Sequence, residues 1–299
     1  MKNRRSFLKK SAIFGSGLFI VPRNVLGGPG FIAPSDQLNI ASIGTGGKGY
    51  DITHDWASSE RVIALCDVHP DKSDVVNARK KYPNANVYVD FREMLDNEKD
   101  LDAVTVSTPD HTHGIIASNA MNRGLHVYVQ KPLTHNIEEA RKLTQIAKNN
   151  KVITQMGNQG GSSAGVMKIQ EWVDKKMIGK IKKIYAWTNR PVWPQGFPMK
   201  ENNEEKPKNL NWDLWLGPAT YTKYTSQLHP FNWRGWWDYG TGALGDMGCH
   251  ILDAPYKTLG LHYPTDVECS VGSVYQQAWS QNFIPEGLSL IHISEPTRL

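Results

Sequence analysis

Asp246 and His250 lie four residues apart, Lys131 stands directly before a proline, and a glycine run opens at Gly44; these are the positions best suited to chemistry. On a helix, a spacing of four puts Asp246 and His250 on one face, with Asp253 three residues further on. Oxidation of an alcohol requires a base for the hydroxyl proton as hydride departs, and histidine titrates in the useful range. Asp246 would then orient and tune that base. The bland alternative is a capped helix whose histidine is satisfied by a neighbouring acid. Lys131, between Gln130 and Pro132, closes a strand and would aim its ammonium into a crevice, able to bind a hydroxyl and join proton transfer. Read alone, it is a surface lysine before a turn.

The run Gly44-Thr45-Gly46-Gly47-Lys48-Gly49 has GxGxxG spacing and directly follows an apolar stretch. Gly44 would allow the tight turn, Gly46 and Gly47 the approach of backbone to a pyrophosphate, and Gly49 close helix packing, with helix-start amides facing the phosphate charge. Asp67 follows Gly44 by 23 residues, where a carboxylate accepts from adenosine ribose hydroxyls and repels a 2′-phosphate. NAD is therefore expected in preference to NADP. A glycine turn beside a surface aspartate is the competing reading. Thr108, Pro109, Asp110, His111, Thr112 and His113 end a further strand. There Thr108, Pro109 and His113 are expected to touch cofactor, and the histidines to help cap the next helix. A metal pair at His111 and His113 lacks a third ligand nearby, so no metal is expected.

These residues need a frame. Leu38 to Ile43, Val62 to Cys66, Ala103 to Val106, Val127 to Val129 and Val152 to Met156 read as buried strands. Helical stretches near Asp71 to Lys81, His111 to Arg123 and Ile137 to Asn150 separate them. That alternation predicts a doubly wound α/β domain over residues 35–155. A second, α+β domain over 156–287 opens with a helix near Ala164 to Met177 and a strand from Ile181 to Thr188. It continues through a Trp-rich ordered loop from Arg190 to Trp237, a helix near Gly245 to Leu259 and a strand near Thr265 to Tyr275. Leu288 to Leu299 break the pattern. They resemble translated adapter read-through and are read as an artefact replacing the natural end, which leaves the second sheet incomplete.

Composition narrows the partners. The formal charge of the 299 residues is +5, yet residues 1–33 hold six basic residues (Lys2, Arg4, Arg5, Lys9, Lys10 and Arg23) and no acid. Without them 28 basic residues face 29 acidic ones, which offers no electrostatic case for nucleic acid or an anionic membrane. Arg4 and Arg5, followed by an apolar stretch from Ala12 to Val21 too short to span a bilayer comfortably, read as a twin-arginine export signal. A basic tail is the alternative. The expected location is periplasmic, with no stable membrane anchor after cleavage. Cys66, Cys249 and Cys269 form no CxxC pair, so neither zinc nor a required disulfide is expected.

Taken together in this order, the glycine loop, the strand-end turn, Gln130-Lys131-Pro132 and the Asp246-x-Gly248-x-His250 helix resemble the Gfo/Idh/MocA family over residues 36–287. The resemblance implies a Rossmann domain followed by an α+β domain with an open, mostly antiparallel sheet. It also implies catalysis by Lys131, Asp246 and His250, with His as proton acceptor and Lys binding cofactor and substrate. It further implies that Trp233 and Arg234 border the nicotinamide, and that the full-length protein is a homo-oligomer. Gln130 departs from the usual Glu, removing a negative charge beside Lys131 and easing its use as acid or base. The expected activity is hydride exchange between tightly bound NAD and a sugar or polyol. A redox-neutral NAD-dependent glycosidase and a non-catalytic sugar-binding protein are the alternatives.

Overall fold

The computed structural model describes residues 33, 36–55, 59–200, 203–268, 270–272 and 287–289. The expected export signal up to residue 32, Cys269 and residues 290–299 of the expected artefact lie outside them. The chain divides into two compact units, residues 1–38 and 39–299, and among the described residues every strand and α-helix belongs to the second.

Six strands form the first sheet: β1 (Asn39–Ile43), β2 (Arg61–Cys66), β3 (Asn86–Tyr88), β4 (Ala103–Val106), β5 (His126–Gln130) and β6 (Thr154–Gly157). They run parallel in the order β3-β2-β1-β4-β5-β6, the doubly wound arrangement expected from the sequence. Between them run α1 (Lys48–Asp55), α2 (Ser73–Lys81), α3 (Phe91–Asn97), α4 (Asp110–Asn122) and α5 (Ile137–Asn150). Ala41, Ile43, Val104, Val106, Val127 and Val129 of the central strands share one core with Ile116, Ala117, Ala120 and Met121 of α4. Helices cover the sheet, so its inner strands carry apolar runs rather than alternation. Helix α5 starts at a reciprocal cap in which Asn136 accepts from the Glu139 amide and Glu139 accepts from that of Asn136. The strand missing from the sequence reading is β3. Its three residues, Asn-Val-Tyr, are too few for a period to register, and only pairing with β2 identifies it.

The second region holds α6 (Ala164–Asp174), α7 (Trp212–Leu216), α8 (Gly242–Ile251) and α9 (Asp253–Leu259). The helix expected over Gly245 to Leu259 is thus two helices that meet at Leu252. The strand expected from Ile181 to Thr188 is not formed, and Ile184, Tyr185 and Trp187 are exposed. Strand propensity needs a neighbour to pair with, and none runs beside this segment among the described residues. From the stretch expected as Thr265 to Tyr275, β7 (Ser270–Gly272) forms and pairs antiparallel with β8 (Gly287–Ser289); 273–275 lie outside the described residues. Among the described residues, no helix is long and apolar enough to cross a membrane.

The Trp-rich loop makes a second core of Leu210, Trp212, Trp215, Leu216, Leu228, Trp233, Trp236 and Tyr239. Trp212 and Trp215 stack at 4.5 Å, and of the six loop tryptophans only Trp237 is exposed. His111 fastens this core to the start of α4. Its Nδ1 and Nε2 lie 3.2 and 3.0 Å from the carbonyl oxygens of Tyr239 and Trp215. Burial pulls its pKa from 6.5 down to about 4, against the pull of those carbonyls. The unfolded chain therefore takes up the proton first as pH falls, so the clamp's contribution is whole above 6.5 and is lost towards 4. His111→Phe should cost about 2 kcal/mol at pH 7. In urea unfolding, that gap should narrow at pH 4.5.

Candidate active site

The carboxyl ends of β1, β2, β4 and β5 gather the expected residues on one edge of the sheet. Gly44 turns with φ +77° directly after β1, and a Cβ on it would lie 2.8 Å from the Ser107 backbone after β4. Gly49 is equally constrained, since a Cβ there would lie 1.7 Å from the Gly44 carbonyl oxygen. Only glycine lets α1 start this close to the loop. Asp67, at the end of β2, accepts from the amides of Gly46 at 3.1 Å and His69 at 2.9 Å. Burial raises its carboxyl, while those amides and Lys72 oppose the shift. Gly47 donates to Asp74. Thr45 Oγ1 and Ser107 Oγ are buried beside the loop with no partner among the described residues. Glycine cradle, helix start, buried hydroxyls and a carboxylate at the second strand end together suit a dinucleotide.

His113 corrects an expectation. It is 1% exposed, with Nδ1 and Nε2 each 2.8 Å from the carbonyl oxygens of Pro132 and Thr108. Neither nitrogen is left for a cofactor; the ring instead ties the Thr108-Pro109 turn after β4 to the Lys131-Pro132 turn after β5. Nor do the histidines cap α4, whose N-cap residue is Pro109 with no side-chain bond.

The Lys131 ammonium donates to both the side chain and the carbonyl oxygen of Asp246 on α8, the latter at 3.1 Å. Both side chains are 14% exposed. Arg234 Nε stands 3.7 Å from the same Asp246 carboxylate, and its guanidinium lies 4.1 Å from the Trp233 ring centre. Burial pulls that guanidinium down from its ordinary value, with Asp110 and Asp246 opposing. The structure therefore brings Lys131, Trp233, Arg234 and Asp246 into one cluster.

His250 is held otherwise than expected. It shares α8 with Asp246, but Asp246 is committed to Lys131 and Arg234, and the Nδ1 of His250 lies 3.2 Å from the carbonyl oxygen of Gln159 after β6. In the neutral ring, a proton on Nδ1 leaves Nε2 with the lone pair, the form that accepts a proton. Gln159 in turn donates from Nε2 to Gln130 Oε1 at 2.8 Å. Asn158 donates to the Cys249 carbonyl at 2.8 Å. The sequence reading missed Gln159, because a backbone carbonyl acting across 91 residues leaves no trace in residue type. A lysine held by a carboxylate, with a histidine of fixed tautomer one turn along the same helix as that carboxylate, can bind a hydroxyl and receive its proton.

The comparisons follow the same outline. Residues 38–158 match the oxidoreductase family with NAD-binding Rossmann fold named GFO_IDH_MocA, and residues 163–281 match that family's C-terminal alpha/beta domain. A glycosyl hydrolase family 109 protein from Shewanella sp. (strain ANA-3) is 30% identical over 48% of this chain and 37% of its own length. A levoglucosan dehydrogenase from Pseudarthrobacter phenanthrenivorans is 21% identical over 75% of this chain and 52% of its own. The chain thus spans about half or less of the length of these curated relatives. The NAD complex of GenD2 from gentamicin A biosynthesis shares the fold, with a TM-score of 0.57 and 19% identity over 86% of this chain and 61% of that one. The chain belongs to the Gfo/Idh/MocA oxidoreductase family, and its first domain is that family's NAD-binding Rossmann domain.

Proposed function

We propose that the chain transfers hydride between tightly held NAD and a hydroxyl of a sugar or polyol, with Lys131, Asp246 and His250 as its catalytic residues. The observation that carries this reading is the Lys131–Asp246 pair on the helix that presents His250 one turn further on, with the Nδ1 of His250 engaged by the Gln159 carbonyl. Gly44, Gly46, Gly47, Gly49 and Asp67 would hold the dinucleotide, with Thr108, Pro109, Trp233 and Arg234 along its course. Bound NAD supplies the two-electron acceptor. Lys131 binds the substrate oxygen and stabilises negative charge on it, Asp246 keeps the ammonium in place, and His250 receives the hydroxyl proton at Nε2. His250→Asn and Lys131→Met should each lower turnover by about a hundredfold or more. NAD binding followed by fluorescence should survive His250→Asn. Turnover unchanged in both variants would contradict the assignment.

A second reading has support in the family 109 glycosyl hydrolase relatives. In that reading, oxidation of one sugar hydroxyl to a ketone would acidify the adjacent C–H and let the aglycone leave as an alcohol, water would add to the resulting unsaturated ketone, and return of the hydride would restore the hydroxyl with no net redox change. Release of nitrophenol from a p-nitrophenyl glycoside, without any added electron acceptor, would favour it over simple hydride exchange.

We further infer export by the twin-arginine route to the periplasm, on the strength of Arg4 and Arg5. Free NAD is not recycled there, which accords with a cofactor held through the whole cycle. Replacing both arginines with lysine should leave the protein in the cytoplasm with its leader uncut, as read by fractionation and intact mass.

A further inference from the structure

Asp110 has no place in the roles above, yet it lies 5% exposed in the first turn of α4, within the electrostatic reach of charged groups on other elements. Thr241 Oγ1 donates to its Oδ2 at 2.9 Å. Lys131 after β5, Arg234 in the short turn Asn232–Gly235 and Asp246 on α8 all act on its charge, and Cys249 on α8 feels it in return. On its own helix, His111 and His113 have both ring nitrogens turned to backbone carbonyls.

Thr241 is the second observation. It is the N-cap residue of α8, and a threonine there ordinarily turns its hydroxyl onto its own helix's amides. Here it makes no such bond. The hydroxyl goes to Asp110, and Gln195 Oε1 accepts from the Ala243 amide at 3.0 Å. A local cap is thus exchanged for a contact across the site, on the very helix that carries Asp246 and His250. A carboxylate buried at this depth is costly unless opposite charges lie close, and Lys131 and Arg234 supply them.

We propose that Asp110 is a positioning residue of the reactive set, anchoring the start of α8 through Thr241 and completing, with Asp246, Lys131 and Arg234, a ring of two carboxylates and two cations. The inference rests on the reading of Lys131, Asp246 and His250 as the groups that handle the hydroxyl proton. Burial lifts the Asp110 carboxyl to about 6, so the ring gains its second negative charge as pH rises through that value. Lys131 and Arg234 pull the midpoint down and Asp246 pushes it up.

The test is a carbon-13 NMR titration of aspartate carboxyls in the whole chain, with the Asp110 signal identified by its loss in Asp110→Asn. Its midpoint should rise by about half a unit or more in Lys131→Met, which removes a cation, and fall in Asp246→Asn, which removes an anion. A midpoint that moves in neither variant overturns the ring. Amide exchange along α8 should quicken about tenfold in both Thr241→Val and Asp110→Ala, and no further in the double variant. Additive effects, or none, overturn the anchor; should Asp110→Ala fail to fold, Thr241→Val carries that arm alone. With levoglucosan as probe, Asp110→Asn should lower kcat about tenfold, leave KM nearly unchanged and move the acid limb of the pH profile. If the parent chain turns over no sugar or polyol, the oxidoreductase reading fails, whereas the titration and exchange still decide Asp110.

Discussion

The ion pair between Lys131 and Asp246 is the constraint around which the rest is arranged. Its partners stand 115 residues apart and both are mostly buried, so the pair survives only if two separately built elements meet within hydrogen-bond reach. A buried pair compensates its lost hydration only with good geometry and further polar partners. The protein supplies these on each side: the Asp246 carbonyl for the ammonium and Arg234 for the carboxylate.

Helix α8 is therefore held at several points along its length. Gln195 and Thr241 fix its start, Lys131 its middle, and Asn158 and Gln159 its last turn. On the other side, His113 links the turns after β4 and β5, setting where Lys131 emerges. The neutral bonds among these contribute about 1 kcal/mol each and those to charged groups about 1.5–3 kcal/mol. Together they hold donor and acceptor atoms to the tolerances that proton transfer requires.

The aromatic loop bears on the same arrangement from outside. Five of its six tryptophans are buried, Trp212 and Trp215 are stacked, and the layer is fastened to α4 through His111, so the loop is first of all a core. Trp233 packs in that core and carries Arg234 against its ring, and so the apolar layer sets where a guanidinium meets Asp246.

The sequence by itself determined the doubly wound sheet and the glycine loop with Asp67, which follow from local periodicity and from residue types whose spacing carries a mechanism. The grouping of Lys131, Asp246 and His250 as candidates came from the family resemblance of the motifs that hold them. Only the tertiary structure decided how the candidates are used. Asp246 serves Lys131 rather than His250, His113 holds backbone rather than cofactor, and Asp110 and Gln159 enter the site. It also decided against a strand at Ile181–Thr188 and for one at Asn86–Tyr88. The physical reason is common to all of these. A hydrogen bond to a carbonyl, or a ladder to a neighbouring strand, depends on what lies beside a residue in space, and a partner 91 or 115 positions away leaves no local pattern to read.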